Sequence, residues 1–154
     1  MKLLQVGKTK ERFTEEAIAY YQKRIRKYAE LELITVPAAK GKRSQESHKQ
    51  EEERRIRKEL PKSPFLVLLD ERGASMDSKT FAGELKKFRE KAGKDLTFVI
   101  GGAYGVPPAL SQEADRSIAL SEMTFSHQVA RIVFLEQLYR GLSILNGDPY
   151  HNER

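Results

Sequence analysis

His127 and Arg131 stand four residues apart at the start of a long helical pattern. That spacing puts an imidazole and a guanidinium on one helix face, and the positive helix terminus favours the neutral imidazole. Such a pair binds an anion or handles a proton; the same pattern also occurs as a purely structural one. Just before it, Leu120-Ser121-Glu122-Met123-Thr124-Phe125 makes a polar loop between the apolar run Ser117–Leu120 and the helix. Gly101, Gly102 and Gly105 form a second loop. Glycine there lets backbone approach a ligand closely or take a positive φ, and a tight turn is the equal alternative. A third loop is Leu69-Asp70-Glu71-Arg72-Gly73. The chain ends in Tyr150-His151-Asn152-Glu153-Arg154. Such tails usually fray; folded over a site, this one offers a ring for base stacking, a proton acceptor and a phosphate contact.

The elements that must position these groups are readable in outline. Lys2–Val6 reads as a strand, followed by a helix capped at Thr14. Phe13 and Ile18 are spaced as a hydrophobic staple, and Phe13, Ala17, Tyr21, Ile25 and Tyr28 mark the expected buried face. A strand over Leu31–Val36 precedes a very polar helix capped by Ser44 or Ser47, in which His48 is expected to be exposed. Phe65–Leu69 is a continuous apolar run, as in a strand buried on both faces. Asp77 or Ser78 caps the next helix, whose stripe is Phe81, Leu85 and Phe88. The strands Leu96–Ile100 and Ser117–Leu120 follow, and the last helix ends near Asn146-Gly147. Strands alternating with helices imply an α/β domain with a mainly parallel sheet. The three loops follow strands, at the carboxyl ends where open α/β sheets bind ligands. Glu136 and Arg140, four apart, are expected to pair. The last helix is apolar nearly all round, so one face covers the sheet and the other needs a partner, most simply in a symmetric dimer.

Composition narrows the chemistry. The chain of 154 residues is expected to form one domain. It has no cysteine, hence no disulfide, no cysteine-based zinc site and no thiol nucleophile, and no metal is expected. No apolar run approaches the roughly 20 residues that span a bilayer. The opening residues turn polar too early for a signal peptide, so a cytoplasmic location is expected and no membrane partner. The formal charge of +6 favours a polyanionic partner, nucleic acid ahead of membrane. The glycine spacing is not a dinucleotide fingerprint, and no Gly-Lys-Ser/Thr phosphate loop follows it. That argues against a nucleotide hydrolase and leaves an adenosine-like ligand without a helix-bound pyrophosphate.

Several blocks carry a family resemblance: Ile100-Gly101-Gly102-Ala103-Tyr104-Gly105, Ala119 through Gln128, Glu136-Gln137-Leu138-Tyr139-Arg140, and Pro149-Tyr150-His151. With Val6-Gly7-Lys8 and Leu69–Gly73, the chain resembles the ribosomal RNA large subunit methyltransferase H family of the SPOUT superfamily over essentially its whole length. Ser126 stands where proline is expected in many members, which should loosen the helix entry without removing the site. The tail also runs to Arg154, slightly past where some members are expected to stop. The resemblance implies a single domain over 1–154 with a trefoil knot in roughly 65–154, working as a homodimer. It implies S-adenosylmethionine as methyl donor, held by Leu69, Gly101, Leu120, Ser121, Glu122, Met123, Thr124 and Phe125. The implied reaction methylates N3 of a pseudouridine in 23S rRNA, on assembled ribosomes. His151 and His127 become candidate proton acceptors, with Arg131 as a catalytic cation. Tyr150, Arg140 and Arg154 become candidates for substrate contact. A non-catalytic ribosome-associated RNA-binding factor is the alternative, and cofactor binding separates the two.

Overall fold

A computed structural model describes residues 1–42 and 44–151. Five parallel strands form one sheet: β1 (Lys2–Val6), β2 (Glu32–Val36), β3 (Phe65–Ser75), β4 (Leu96–Ile100) and β5 (Arg116–Ala119). Their spatial order is β2-β1-β4-β3-β5. The helices are α1 (Arg12–Ile25), α2 (Gln45–Glu59), α3 (Ser78–Ala92), α4 (Pro108–Glu113) and α5 (His127–Leu145).

Two cores explain the apolar runs. Leu3, Val67, Leu69, Phe98 and Ile100 face one side, where Ile18 and Ile25 of α1, Phe81, Leu85 and Phe88 of α3, and Phe134, Leu138 and Leu142 of α5 cover them. Leu4, Leu66, Leu68 and Val99 face the other side, against Ile56 of α2 and Leu110 of α4. Successive strand residues alternate between faces, so a sheet covered on both sides buries consecutive positions, as Leu66–Leu69 of β3 and Leu96–Ile100 of β4 show, Thr97 being the one polar residue among them. The register sets Leu69 beside Ile100 and beside Ile118. The loops that follow these strands therefore open at one edge.

Four expectations are corrected. Helix α1 begins at Arg12 with Glu11 as its N-cap, so Thr14 is not the cap but a buried residue of the first turn. The buried stripe is Thr14, Ile18 and Ile25; Phe13 falls roughly 100° off it and is 58% exposed. Strand β3 does not stop at Leu69: after a register shift it pairs again with β5 through Ala74 and Ser75. His48 is buried, because the first half of α2 packs on the loop after β2, where its Nε2 lies 3.0 Å from the Gly41 carbonyl. Ser44 and Asp77 are caps, accepting from Ser47 N–H at 3.2 Å and Thr80 N–H at 2.7 Å.

Candidate active site

A cavity of about 620 Å³ opens at the carboxyl edge of the sheet. The three loops singled out in the sequence wall it. Leu69, Gly101, Leu120, Ser121, Met123, Thr124 and Phe125 all line it, and His127 enters from the first turn of α5. Glu122 belongs to the same run but points no atoms into the cavity wall. Met123, 75% exposed, and Phe125 leave apolar surface at the mouth.

Local bonds hold the loops in shape. A Cβ on Gly101 would lie 2.4 Å from the Gly105 carbonyl carbon, so only glycine permits this turn. The turn closes with Gly105 N–H donating to the Gly102 carbonyl at 3.0 Å. Ser121 Oγ accepts from Met123 N–H at 2.9 Å, and Thr124 Oγ1 donates to Glu71 at 3.3 Å. Asp70 lines the cavity with its carboxyl below the usual range, held ionised chiefly by hydrogen bonds from the Arg72 side chain. Ser126 does not loosen the helix entry. Its Oγ accepts from Val129 N–H at 3.3 Å, so a serine N-cap stands where proline was expected.

His127 and Arg131 share a helix face in sequence spacing, but the structure turns them to different surroundings. His127 lines the cavity. Its pKa is lowered from the ordinary value by burial first, then by the nearby cations Arg131 and Lys10. The imidazole is therefore neutral at pH 7, with its Nε2 3.3 Å from the Gln128 side-chain amide nitrogen. Arg131 turns inward and is fully buried. It donates from Nη2 to the carbonyls of Val6, 2.6 Å, and Gly7, 2.7 Å, and from Nη1 to Thr9 Oγ1, 3.0 Å. No carboxylate pairs with it among these contacts, and it does not line the cavity. Gln128 adds to the same junction, donating from Nε2 to the Lys8 carbonyl at 3.0 Å.

The remaining candidates gather elsewhere. Arg140 pairs with Glu136 at 2.6 Å, as its spacing foretells. Its guanidinium lies 4.7 Å from the Tyr150 ring centre, and Nη1 is 3.4 Å from His151 Nδ1. Tyr150 also packs edge-on against Tyr139 at 4.6 Å. None of Arg140, Tyr150 and His151 lines the cavity. Thirteen helical residues separate His127 from Arg140, about 20 Å along α5. Arg154 lies outside the described residues.

One supporting group has no signal in the sequence. Glu52 of α2 is 3% exposed. Its Oε1 accepts from Ala39 N–H at 3.1 Å, while Oε2 has no hydrogen-bond partner. A Cβ on Gly102 would lie 3.0 Å from that oxygen, so the glycine loop rests directly on the buried carboxyl. Burial raises the Glu52 pKa above the ordinary value. His48, four residues earlier, lies edge-on to Tyr104 at 5.6 Å, and Lys49 between them lines the cavity. Helix α2 is thus the back wall of the glycine loop. In sequence its acids and bases read as solvated surface, since burial of one carboxyl leaves no mark on the pattern.

Residues 1–151 match the family model for predicted SPOUT methyltransferases, and the chain belongs to that family. Within it, the chain is 47% identical over 153 residues to the ribosomal RNA large subunit methyltransferase H of Geobacter sp. (strain M21), covering 99% of each. It is 45% identical over 152 residues to the protein of that name from Pelobacter propionicus, again covering 99% of each. The protein of that name from Acetivibrio thermocellus is 41% identical over 154 residues, with 97% of each covered. These relatives place the chain in the ribosomal RNA large subunit methyltransferase H family, as the motifs around Gly101, Leu120 and Arg140 imply.

Proposed function

We propose that the protein transfers a methyl group from S-adenosylmethionine to N3 of a pseudouridine in 23S rRNA, as a homodimer acting on assembled ribosomes in the cytoplasm. The observation that carries this reading is the convergence of Leu69, Gly101 and the Leu120–Phe125 run on one cavity. The cavity suits the cofactor. About 620 Å³ falls in the range of small-molecule sites. Leu69, Ile100 and Leu120 offer apolar surface for an adenine ring, and the bare backbone of Gly101 and Gly102 lets polar edges approach. Bound there, the cofactor supplies a methyl group on an electrophilic sulfonium.

The protein's own residues have two tasks. The loops align donor and acceptor, which contributes much of the rate when the electrophile is already strong. A base removes the N3 proton, which lies between two carbonyls and is only weakly acidic. His127, neutral and at the cavity, takes that role. Arg140 lies about 20 Å further along α5, Tyr150 and His151 pack beside it with Tyr150 also 3.3 Å from Glu136, and none of the three lines the same protomer's cavity. We place them in the partner's site, where Tyr150 stacks on the base and Arg140 meets phosphate. The half-buried Val129, Ile132 and Val133 of α5 support a dimer, since they leave apolar surface that the chain itself does not cover. The return of the chain from β4 past β3 to β5, with α5 laid back over α1 and α3, is compatible with a trefoil knot in roughly 65–154 of a single domain. Arg131 is a positioning residue in this scheme: it holds the end of β1 against the start of α5.

The test is direct. Purified protein, labelled S-adenosylmethionine and ribosomes from a strain lacking the enzyme should place label in 23S rRNA. Intact cofactor binding without label in the RNA would overturn the substrate.

A further inference from the structure

Four exposed lysines occupy two neighbouring loops at the cavity's edge of the sheet. Lys40 and Lys42 follow β2, and Lys8 and Lys10 follow β1. None of the four side chains makes an ion pair or hydrogen bond among the described residues. A fifth base, Lys49, lines the cavity. The sheet order β2-β1-β4 sets these loops side by side, one strand spacing of about 4.8 Å apart. They form a strip that ends at the glycine loop after β4.

Both loops are built in place. Arg131 and Gln128 of α5 bind the loop after β1 through the Val6, Gly7 and Lys8 carbonyls. Arg55 of α2 binds the loop after β2 through the Pro37 and Ala38 carbonyls, at 2.7 and 2.8 Å, and Glu52 accepts from Ala39 N–H. The helices that anchor the lysine loops are the ones that wall the cavity, so the charges hold a fixed relation to the reacting centre. Some bases elsewhere are paired, Lys2 with Glu32, Arg57 with Glu113 and Lys87 with Glu84, but exposed Lys62, Lys86, Lys91 and Lys94 are not among the described residues; what sets Lys8, Lys10, Lys40 and Lys42 apart is their place on two adjacent anchored loops at the cavity's edge.

We propose that this strip, from Lys40 and Lys42 through Lys8 and Lys10 to the cavity, is the track on which the substrate RNA backbone lies. It rests on the RNA substrate proposed above. Unpaired lysines on anchored loops neutralise phosphates and release counterions without reading sequence. The track explains how a chain whose described residues form one sheet and its helices can seat a nucleotide at its cavity.

The test compares three full-length proteins. One carries Lys8→Glu, Lys10→Glu, Lys40→Glu and Lys42→Glu. A control carries Lys62→Glu, Lys86→Glu, Lys91→Glu and Lys94→Glu, an equal charge change on exposed positions away from the strip. Thermal melts, calorimetric titration with S-adenosylmethionine, and ribosome binding over a range of salt are read for each. The track variant should bind ribosomes at least about 10-fold more weakly, and its log–log salt slope should be shallower by about 3 for four lost phosphate contacts. Its cofactor affinity should match wild type, and the control should retain ribosome affinity within about threefold. Should the track variant melt early, the milder Lys8→Gln, Lys10→Gln pair should lower the slope by about half as much. Equal losses in track variant and control, or none in the track variant while wild type binds, would overturn the track alone. Wild-type protein that binds cofactor but not ribosomes would overturn the substrate reading as well.

Discussion

The guanidinium of Arg131 reaches from the first turns of α5 to the end of β1, donating to the Val6 carbonyl at 2.6 Å while fully buried. A buried cation of this kind is held by charge-assisted bonds to backbone oxygens, because water cannot reach it. It joins the first strand of the chain to the helix that carries His127.

Removing it should therefore cost stability. Arg131→Met keeps much of the stem but leaves the Val6 and Gly7 carbonyls without their donor. The expected loss is about 3 kcal/mol, read from urea unfolding at pH 7. Arg131→Lys should recover little of it, since an ammonium cannot reproduce the planar fork. Wild-type stability in Arg131→Met would contradict the clamp.

The lowered His127 pKa fixes a pH dependence. Between that lowered value and about 6.5, the unfolded chain binds more protons than the folded one at this position, so stability rises with pH across that window. Above it the histidine adds no slope. Methyl transfer should hold across that window and through pH 7, and fall below its lower edge, where the folded imidazole charges. His127→Gln should lower turnover by about 100-fold or more and abolish that acid limb. An unchanged limb in the variant would remove His127 from the proton step.

Glu52 predicts the opposite slope. Its pKa is raised by burial, so the folded protein holds a proton that the unfolded chain has released. Its contribution to stability is full below the ordinary carboxyl value and declines as pH rises toward the folded value, by about 1.4 kcal/mol per unit of elevation. Glu52→Gln keeps the acceptor for Ala39 N–H and should flatten that decline, read as urea midpoints at pH 4.5 and 8. Gly102→Ala, which pushes a methyl against the Glu52 carboxyl, should weaken S-adenosylmethionine binding. A Gly102→Ala protein with unaltered cofactor affinity would show that the loop is not held by α2.

A site completed across two protomers makes a complementation test possible. His127→Ala and His151→Ala proteins should each be slow as homodimers. Mixed under exchange, they should regain activity, because one of the two sites in a heterodimer then holds both histidines. Absence of recovery, with exchange demonstrated, would return His151 to its own protomer.

Much of this was legible before the fold was known. The continuous apolar run Phe65–Leu69 and the stretch Leu96–Ile100, interrupted only by Thr97, announce buried strands, and β3 and β4 supply residues to the cores on both faces. The loops that follow them had to share an edge once the sheet was parallel. What stayed hidden depends on tertiary contact. Phe13 looked like core because it stands four residues before Ala17 and eight before Tyr21, but the face that meets the sheet runs along Thr14, Ile18 and Ile25 and leaves that ring outside. His48 and Glu52 sit in a run of charges, and only packing against the loop after β2 buries them. Arg131 has the spacing to join His127 at the cavity, yet the backbone carbonyls of Val6 and Gly7, more than 120 residues away, draw it inward.

The central claim is that a methyl group goes to a ring nitrogen of one pseudouridine. The most direct measurement is mass spectrometry of 23S rRNA nucleosides after reaction of undermethylated ribosomes with deuterated S-adenosylmethionine. The account predicts a labelled N3-methylpseudouridine at a single position. Label on a ribose oxygen, on a different base, or at many positions would contradict it.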